Sequence, residues 1–164
     1  MNFLEQLAAE WYEYSGYFVR TNVRAKKRSR GGWDKELDVI AYKPSSGELI
    51  HIETSGAAES LSQRIDMFNK KFELEDSDYR EILHAKFNEI KRIVIAGWSI
   101  KPKTRLELNK NVEVILIPEF FNVIIKGIHE HDFMSAAVPE SYPLLRTIQM
   151  MDKYQDLSQK DQKK

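Results

Sequence analysis

The chain has 164 residues, 42% hydrophobic and 30% charged, which fits one soluble, folded domain with its own core rather than a disordered segment. It has no cysteine, so disulfide frameworks, thiolate zinc sites, iron–sulfur clusters and cysteine nucleophiles are all excluded. Its 25 basic and 25 acidic residues cancel, which argues against a uniformly basic nucleic-acid coat.

Residues 2–14 predict a helix, because Phe3, Leu4, Leu7, Trp11 and Tyr14 recur at three- and four-residue spacings along one stripe. Gly16 suits its C-terminal cap. Residues 17–23, aromatic and β-branched, predict a strand, with Tyr17 and Phe18 expected in the core. A basic loop is expected next, carrying Arg24, Lys26, Lys27, Arg28 and Arg30 and ending at Gly31–Gly32. Residues 36–42 and 48–54 predict two strands, joined as a hairpin through Pro44-Ser45-Ser46-Gly47. A long helix is expected over 57–75 and a second helical piece to residue 89. Then come a buried strand over 92–98, a short helix over 102–109 and a strand over 112–117. Helices are predicted over 119–131 and 139–154, before a frayed polar tail at 157–164. No repeat or linker interrupts this order, so residues 1–156 are expected to form one mixed α/β domain.

No run of about 18 apolar residues is present, so no membrane-spanning helix is expected. The first residues lack a basic and then apolar leader, so the expected location is the cytoplasm.

Chemistry concentrates in the hairpin. Asp38 and Glu53 sit in apolar strand contexts, where a carboxylate is costly unless paired, hydrogen-bonded or metal-bound. On adjacent strands they can point into one space, and hard cations such as Mg²⁺ take one or two carboxylates plus water and phosphate. Glu10 lies about 80° from the centre of the apolar stripe of the first helix, the best placed of that helix's acids to reach the sheet. The competing reading pairs Asp38 and Glu53 with core cations such as Arg20 or Arg92.

The helix–strand–strand–strand–helix–strand order, Asp38 in the second strand and Glu53 near the end of the third together resemble the PD-(D/E)XK, or restriction-endonuclease-like, superfamily over about residues 1–98. The hairpin is also similar to that of a group of uncharacterised bacterial proteins. The resemblance implies a mixed sheet with an αβββαβ core flanked by helices, and a Mg²⁺- or Mn²⁺-dependent nuclease acting on DNA or RNA. It implies Asp38 and Glu53 as metal ligands, with Glu10 and the Thr54 carbonyl as further ones. The lysine that this superfamily carries two residues after the second acid is replaced here by Ser55. Some members take that cation from the following helix, where Arg64 and Lys71 share one flank of the apolar face and Lys70 points nearly opposite the core. Lys71 or Arg64 is then the expected catalytic cation. Without one, the expected function is a non-cleaving nucleic-acid-binding or adaptor module.

The basic segment is expected to hold the phosphate backbone, with Trp33 beside it for stacking on bases. His129-Glu130-His131 has the look of a metal pair, but residues two apart on a helix face away from each other, so a surface role is expected. His51 is expected to be a hydrogen-bonded strand histidine. Leu144, Leu145, Ile148 and Met151 form an apolar stripe that would suit either packing or a homodimer.

Overall fold

A computed structural model describes residues 2–56, 61–97, 108, 111–129 and 136–161, with side chains described as far as 154. The predicted short helix over 102–109, together with Trp98 and His131, lies outside the described residues apart from Leu108. The chain divides into two compact units, 1–117 and 118–164, taken separately below.

The first unit is an α/β fold. Its five strands are β1 (Phe18–Lys27), β2 (Trp33–Lys43), β3 (Glu48–Ser55), β4 (Glu89–Ala96) and β5 (Val112–Leu116), and they lie side by side in sequence order. The pairs β1–β2 and β2–β3 are antiparallel, as hairpin connections dictate, while β3–β4 and β4–β5 are parallel. Helix α1 (Phe3–Tyr14) precedes the sheet, and α2 (Leu61–Lys71) and α3 (Asp76–Leu83) cross over between β3 and β4. This is the expected mixed sheet flanked by helices.

Helix α1 starts where its N-cap chemistry is complete. The Asn2 side chain accepts from the amides of Leu4 and Glu5, and Glu5 reaches back to the Asn2 amide. Replacing Asn2 by alanine is expected to cost about 1 kcal/mol, read as a lower midpoint in thermal unfolding. Leu4, Leu7 and Ala8 are buried, and α1 packs across β1, β2 and β3.

The central strand β3 is buried from Leu49 to Ser55, which is why it reads as an almost unbroken apolar run. On one face, Ile40 and Leu49 join Leu74, Tyr79 and Ile82 in a cluster under α3. On the same side of the sheet, Val94 and Ala96 join Phe68 and Phe72 in a second cluster under α2. His51 lies on the seam between the two, with ring centroids 4.8 Å from Phe72 and 5.7 Å from Tyr79.

Strand boundaries depart from expectation at the basic segment. Arg24, Lys26 and Lys27 belong to β1, and only Arg28 and Arg30 lie in the following turn. Alternation explains this: Val23 and Ala25 are buried while their basic neighbours face out, a strand pattern hidden under a charge run. Phe18, expected in the core, is 72% exposed on this edge strand. The predicted helix over 57–75 closes at Lys71, and the next one ends at Leu83, where His84 turns left-handed at φ 51°.

One irregularity shapes the site. Leu37 and Ile40 lie in the same cluster although they are an odd number of residues apart, so strict alternation fails between them. Asn22, which the register sets opposite Asp38, has φ 52°. This break in β1 accompanies the change of face in β2 at the candidate acid.

The second unit contains α4 from Pro118 onward, within Ile117–His129, and α5 (Pro143–Asp161). Phe120, Ile124 and Ile128 are buried on α4, and Leu145 and Gln149 on α5. Gln149 Oε1 accepts from the Val138 amide at 2.8 Å. Met151, expected in the apolar stripe, is 55% exposed, and helical backbone runs to Asp161 where a frayed tail was expected. No helix among the described residues is long and apolar enough to cross a membrane.

Candidate active site

The site forms where β2 and β3 part. Their ladder ends at the Val39–Ile52 pair. Backbone amides beyond that point need other acceptors, since an unpaired buried N–H is costly. Two carboxylates supply them. Asp38 Oδ2 accepts from the Thr54 amide at 2.9 Å and from the Thr54 hydroxyl at 3.2 Å. Glu53 Oε1 accepts from the Asp38 amide at 3.3 Å. Each acid thus latches the opposite strand, and both are drawn to one spot.

The cation at that spot is Lys71. Its Nζ lies 2.9 Å from Glu53 Oε2 and 3.1 Å from Asp38 Oδ1, and it donates to the Glu36 carbonyl at 2.5 Å. Lys71 is the last residue of α2, so the helix ends by delivering its charge to the two acids. Burial pulls the Lys71 pKa down, but the carboxylates of Glu53 and Asp38 outweigh it and hold the ammonium above the ordinary lysine value. A cleft of about 450 Å³ opens beside it, lined by Glu36, Met67, Lys70 and Lys71 among others.

Behind Glu53 stands a buried polar chain. His51, fully buried, holds Glu53 Oε1 with Nε2 at 2.7 Å and the Tyr79 hydroxyl with Nδ1 at 2.8 Å. Arg92 stacks its guanidinium 5.8 Å from the Tyr79 ring centroid. Burial drives the Tyr79 phenol well above its ordinary pKa, with Arg92 opposing that rise, so the hydroxyl keeps its proton.

Sequence geometry therefore brings together Asp38, Glu53, Thr54 and Lys71. Among the described residues, the cation ion-paired to both acids is Lys71, not the Arg20 or Arg92 of the competing reading. Arg20 donates to the Ile82 carbonyl instead. Arg64, the other candidate on α2, is buried at 1% exposure two turns earlier. Ser55 is buried, and its carbonyl accepts from the Gly97 amide at 2.7 Å.

Glu10 is buried, as its place on the wheel implies, and its Oε1 accepts from Gln6 Nε2 at 3.0 Å along its own helix. No three His, Asp or Glu side chains among the described residues form a group that could hold a metal. Thr54 meets the site through its amide and hydroxyl, both donors to Asp38.

The donor set suits a hard cation in type: two carboxylates with backbone oxygen close by. All four carboxylate oxygens already hold a donor, and Lys71 takes one on each acid. A divalent ion held by these residues would need the ammonium to yield those two oxygens.

The basic residues are spread along an exposed edge. Arg24, Lys27 and Arg30 are exposed, Arg28 pairs with Asp34 at 3.2 Å, and Lys26 pairs with Asp78 at 3.5 Å. Trp33 is 42% exposed and, with Arg20, Arg24 and Lys26, lines a cleft of about 210 Å³ that also carries Asp78 and Glu81. Tyr17 is half-buried and donates to Glu48 at 2.6 Å. His129, on the exposed side of the second unit, pairs with Asp152 at 2.7 Å, which matches a surface role.

His51 is the hydrogen-bonded strand histidine expected from the sequence, and Tyr79 is the residue that sequence reasoning did not single out. His51 carried a signal, since it shares a strand face with Glu53. Tyr79 carried none, because its contact with His51 spans 28 positions and two helices.

No family model matches the chain, and no curated protein matches it. A solved crystal structure of a protein of unknown function, AF1548, is similar with a TM-score of 0.44 at 12% identity, over 84% of this chain and 71% of that one. A likeness at that level carries no functional argument.

Proposed function

We propose that the chain is a metal-dependent nuclease that hydrolyses DNA phosphodiester bonds, with Asp38 and Glu53 as the acidic pair and Lys71 as the catalytic cation. The supporting observation is the Lys71 ammonium within 3.1 Å of both carboxylates, delivered by α2 in place of the lysine that Ser55 lacks. In this reading Mg²⁺ or Mn²⁺ supplies neutralisation of phosphate charge and a bound water of lowered pKa. Lys71 contributes a fixed positive charge beside the phosphate as negative charge builds on it. Thr54 keeps Asp38 in place through its amide and hydroxyl. Arg24, Lys27 and Arg30 hold the phosphate backbone without reading sequence.

The test is cleavage of single- and double-stranded DNA, with RNA alongside, in Mg²⁺ or Mn²⁺. Asp38→Asn is expected to lose about a hundredfold or more in rate. Equal rates for the variant and the wild type would overturn the reading.

The engagement of every carboxylate oxygen favours a second reading, a nucleic-acid-binding module on this fold that does not cut. It predicts binding without metal and no cleavage by the wild type. Either reading predicts that replacing Arg24, Lys27 and Arg30 by alanine weakens binding for all sequences alike. The slope of log affinity against log salt should fall by about one for each phosphate the variant no longer holds, measured by titration at several salt concentrations.

A further inference from the structure

We propose that Tyr79 and His51 form a positioning relay that holds the Glu53 carboxylate in the orientation in which it meets Asp38 and Lys71. The inference rests on the metal-dependent reading of the site and adds two residues to it. The geometry is a continuous line from the core to the acid: Tyr79 hydroxyl to His51 Nδ1 at 2.8 Å, then His51 Nε2 to Glu53 Oε1 at 2.7 Å.

With a neutral His51, the two contacts allow one arrangement of hydrogens. Glu53, ion-paired to Lys71, is a carboxylate and only accepts. His51 Nε2 must then carry the hydrogen. Neutral imidazole has one N–H, so Nδ1 is left as an acceptor, and the Tyr79 hydroxyl is the donor that fits it. Tyr79 thereby fixes which nitrogen of His51 faces Glu53 with a proton. Partners of this kind behind a ligand carboxylate or histidine hold its orientation, and their loss costs metal affinity.

A packing role makes a different prediction from the same position. His51 lies against Phe72 in a buried seam, so leucine would suit packing better than a buried amide. The positioning role predicts the reverse, because glutamine keeps an N–H donor for Glu53 and leucine keeps none.

The experiment uses the full chain and Mn²⁺ alone as the probe, with binding followed by electron paramagnetic resonance. His51→Leu is expected to bind about ten- to a hundredfold more weakly than wild type, with His51→Gln recovering part of the loss. Tyr79→Phe, which keeps the ring and its packing, is expected to weaken binding about tenfold. Nitrogen NMR of the wild type is expected to find His51 protonated at Nε2 and bare at Nδ1. His51→Leu binding as well as or better than His51→Gln overturns the relay, as does a hydrogen on Nδ1 alone. Mn²⁺ binding by the wild type that is lost in Asp38→Asn but unchanged in Tyr79→Phe and both His51 variants overturns the relay while leaving the metal site standing. No Mn²⁺ binding by the wild type overturns the metal reading and the relay with it.

Discussion

Lys71→Met is expected to bind Mn²⁺ more tightly than wild type and to cut DNA far more slowly. The two effects have one origin. The ammonium sits 2.9 Å from Glu53 and 3.1 Å from Asp38, where it occupies one oxygen of each acid. Removing it frees those oxygens for a divalent ion and takes away the charge that would stabilise the reacting phosphate, a loss of about a hundredfold or more in rate. Without metal, the variant is left with two carboxylates beside each other, Glu53 only 2% exposed. Breaking a buried ion pair from one side costs about 3–5 kcal/mol, and the 28% exposure of Lys71 puts this case near 3 kcal/mol. Denaturant unfolding with chelator should read that loss. Mn²⁺ should then restore more stability to the variant than it adds to the wild type, since ion binding to the folded state alone stabilises it by mass action. Equal gains in the two proteins would sink the idea that ammonium and metal compete. The wild type has its own pH signature. Folding raises the Lys71 pKa, so its stabilising contribution is complete below the ordinary lysine value of 10.5 and disappears as pH climbs through the higher folded value. Lys71→Met should therefore lose less stability than wild type between about pH 10 and 12.

Phe72→Ala is expected to cost about 3–5 kcal/mol, the usual range for emptying a buried phenylalanine site. Phe72 is 2% exposed, packs on Val94 and Ala96 and lies edge-on to His51 at 4.8 Å. It follows Lys71 directly, so its ring anchors the end of α2 that carries the cation. The loss should couple with that of Lys71→Met: the double variant should lose less than the sum, by about 0.5–3 kcal/mol, because the first substitution already loosens what the second removes. Strict additivity, read from denaturant curves of the four proteins, would show that the helix end is held independently of its charge.

Much of this architecture was legible in the residues. The stripe of Leu4, Leu7 and Trp11 gave α1, and Pro44 to Gly47 between two apolar runs gave the β2–β3 hairpin. The wheel of α2 separated Lys71 from Lys70, and Lys71 is the one that meets the acids. Legibility ended where contacts are long-range or where one pattern masks another. Alternating burial in β1 is hidden because its outward positions are Arg24 and Lys26. The left-handed Asn22 is masked by its strand context, although asparagine is one of the residues that tolerates that conformation. Tyr79 meets His51 only after the chain between them has folded back.

The parted ends of β2 and β3 have a consequence for amide exchange. Within the paired ladders, main-chain hydrogens are guarded by main-chain oxygens. At Asp38 and Thr54 the guards are the side chains of Glu53 and Asp38. Deuterium should therefore enter the Asp38 amide quickly in Glu53→Ala and the Thr54 amide quickly in Asp38→Ala, while Ile50 and Ile52 stay slow. The candidate site is also a clasp between two strands, and any change in its charge is written into how far they stay closed.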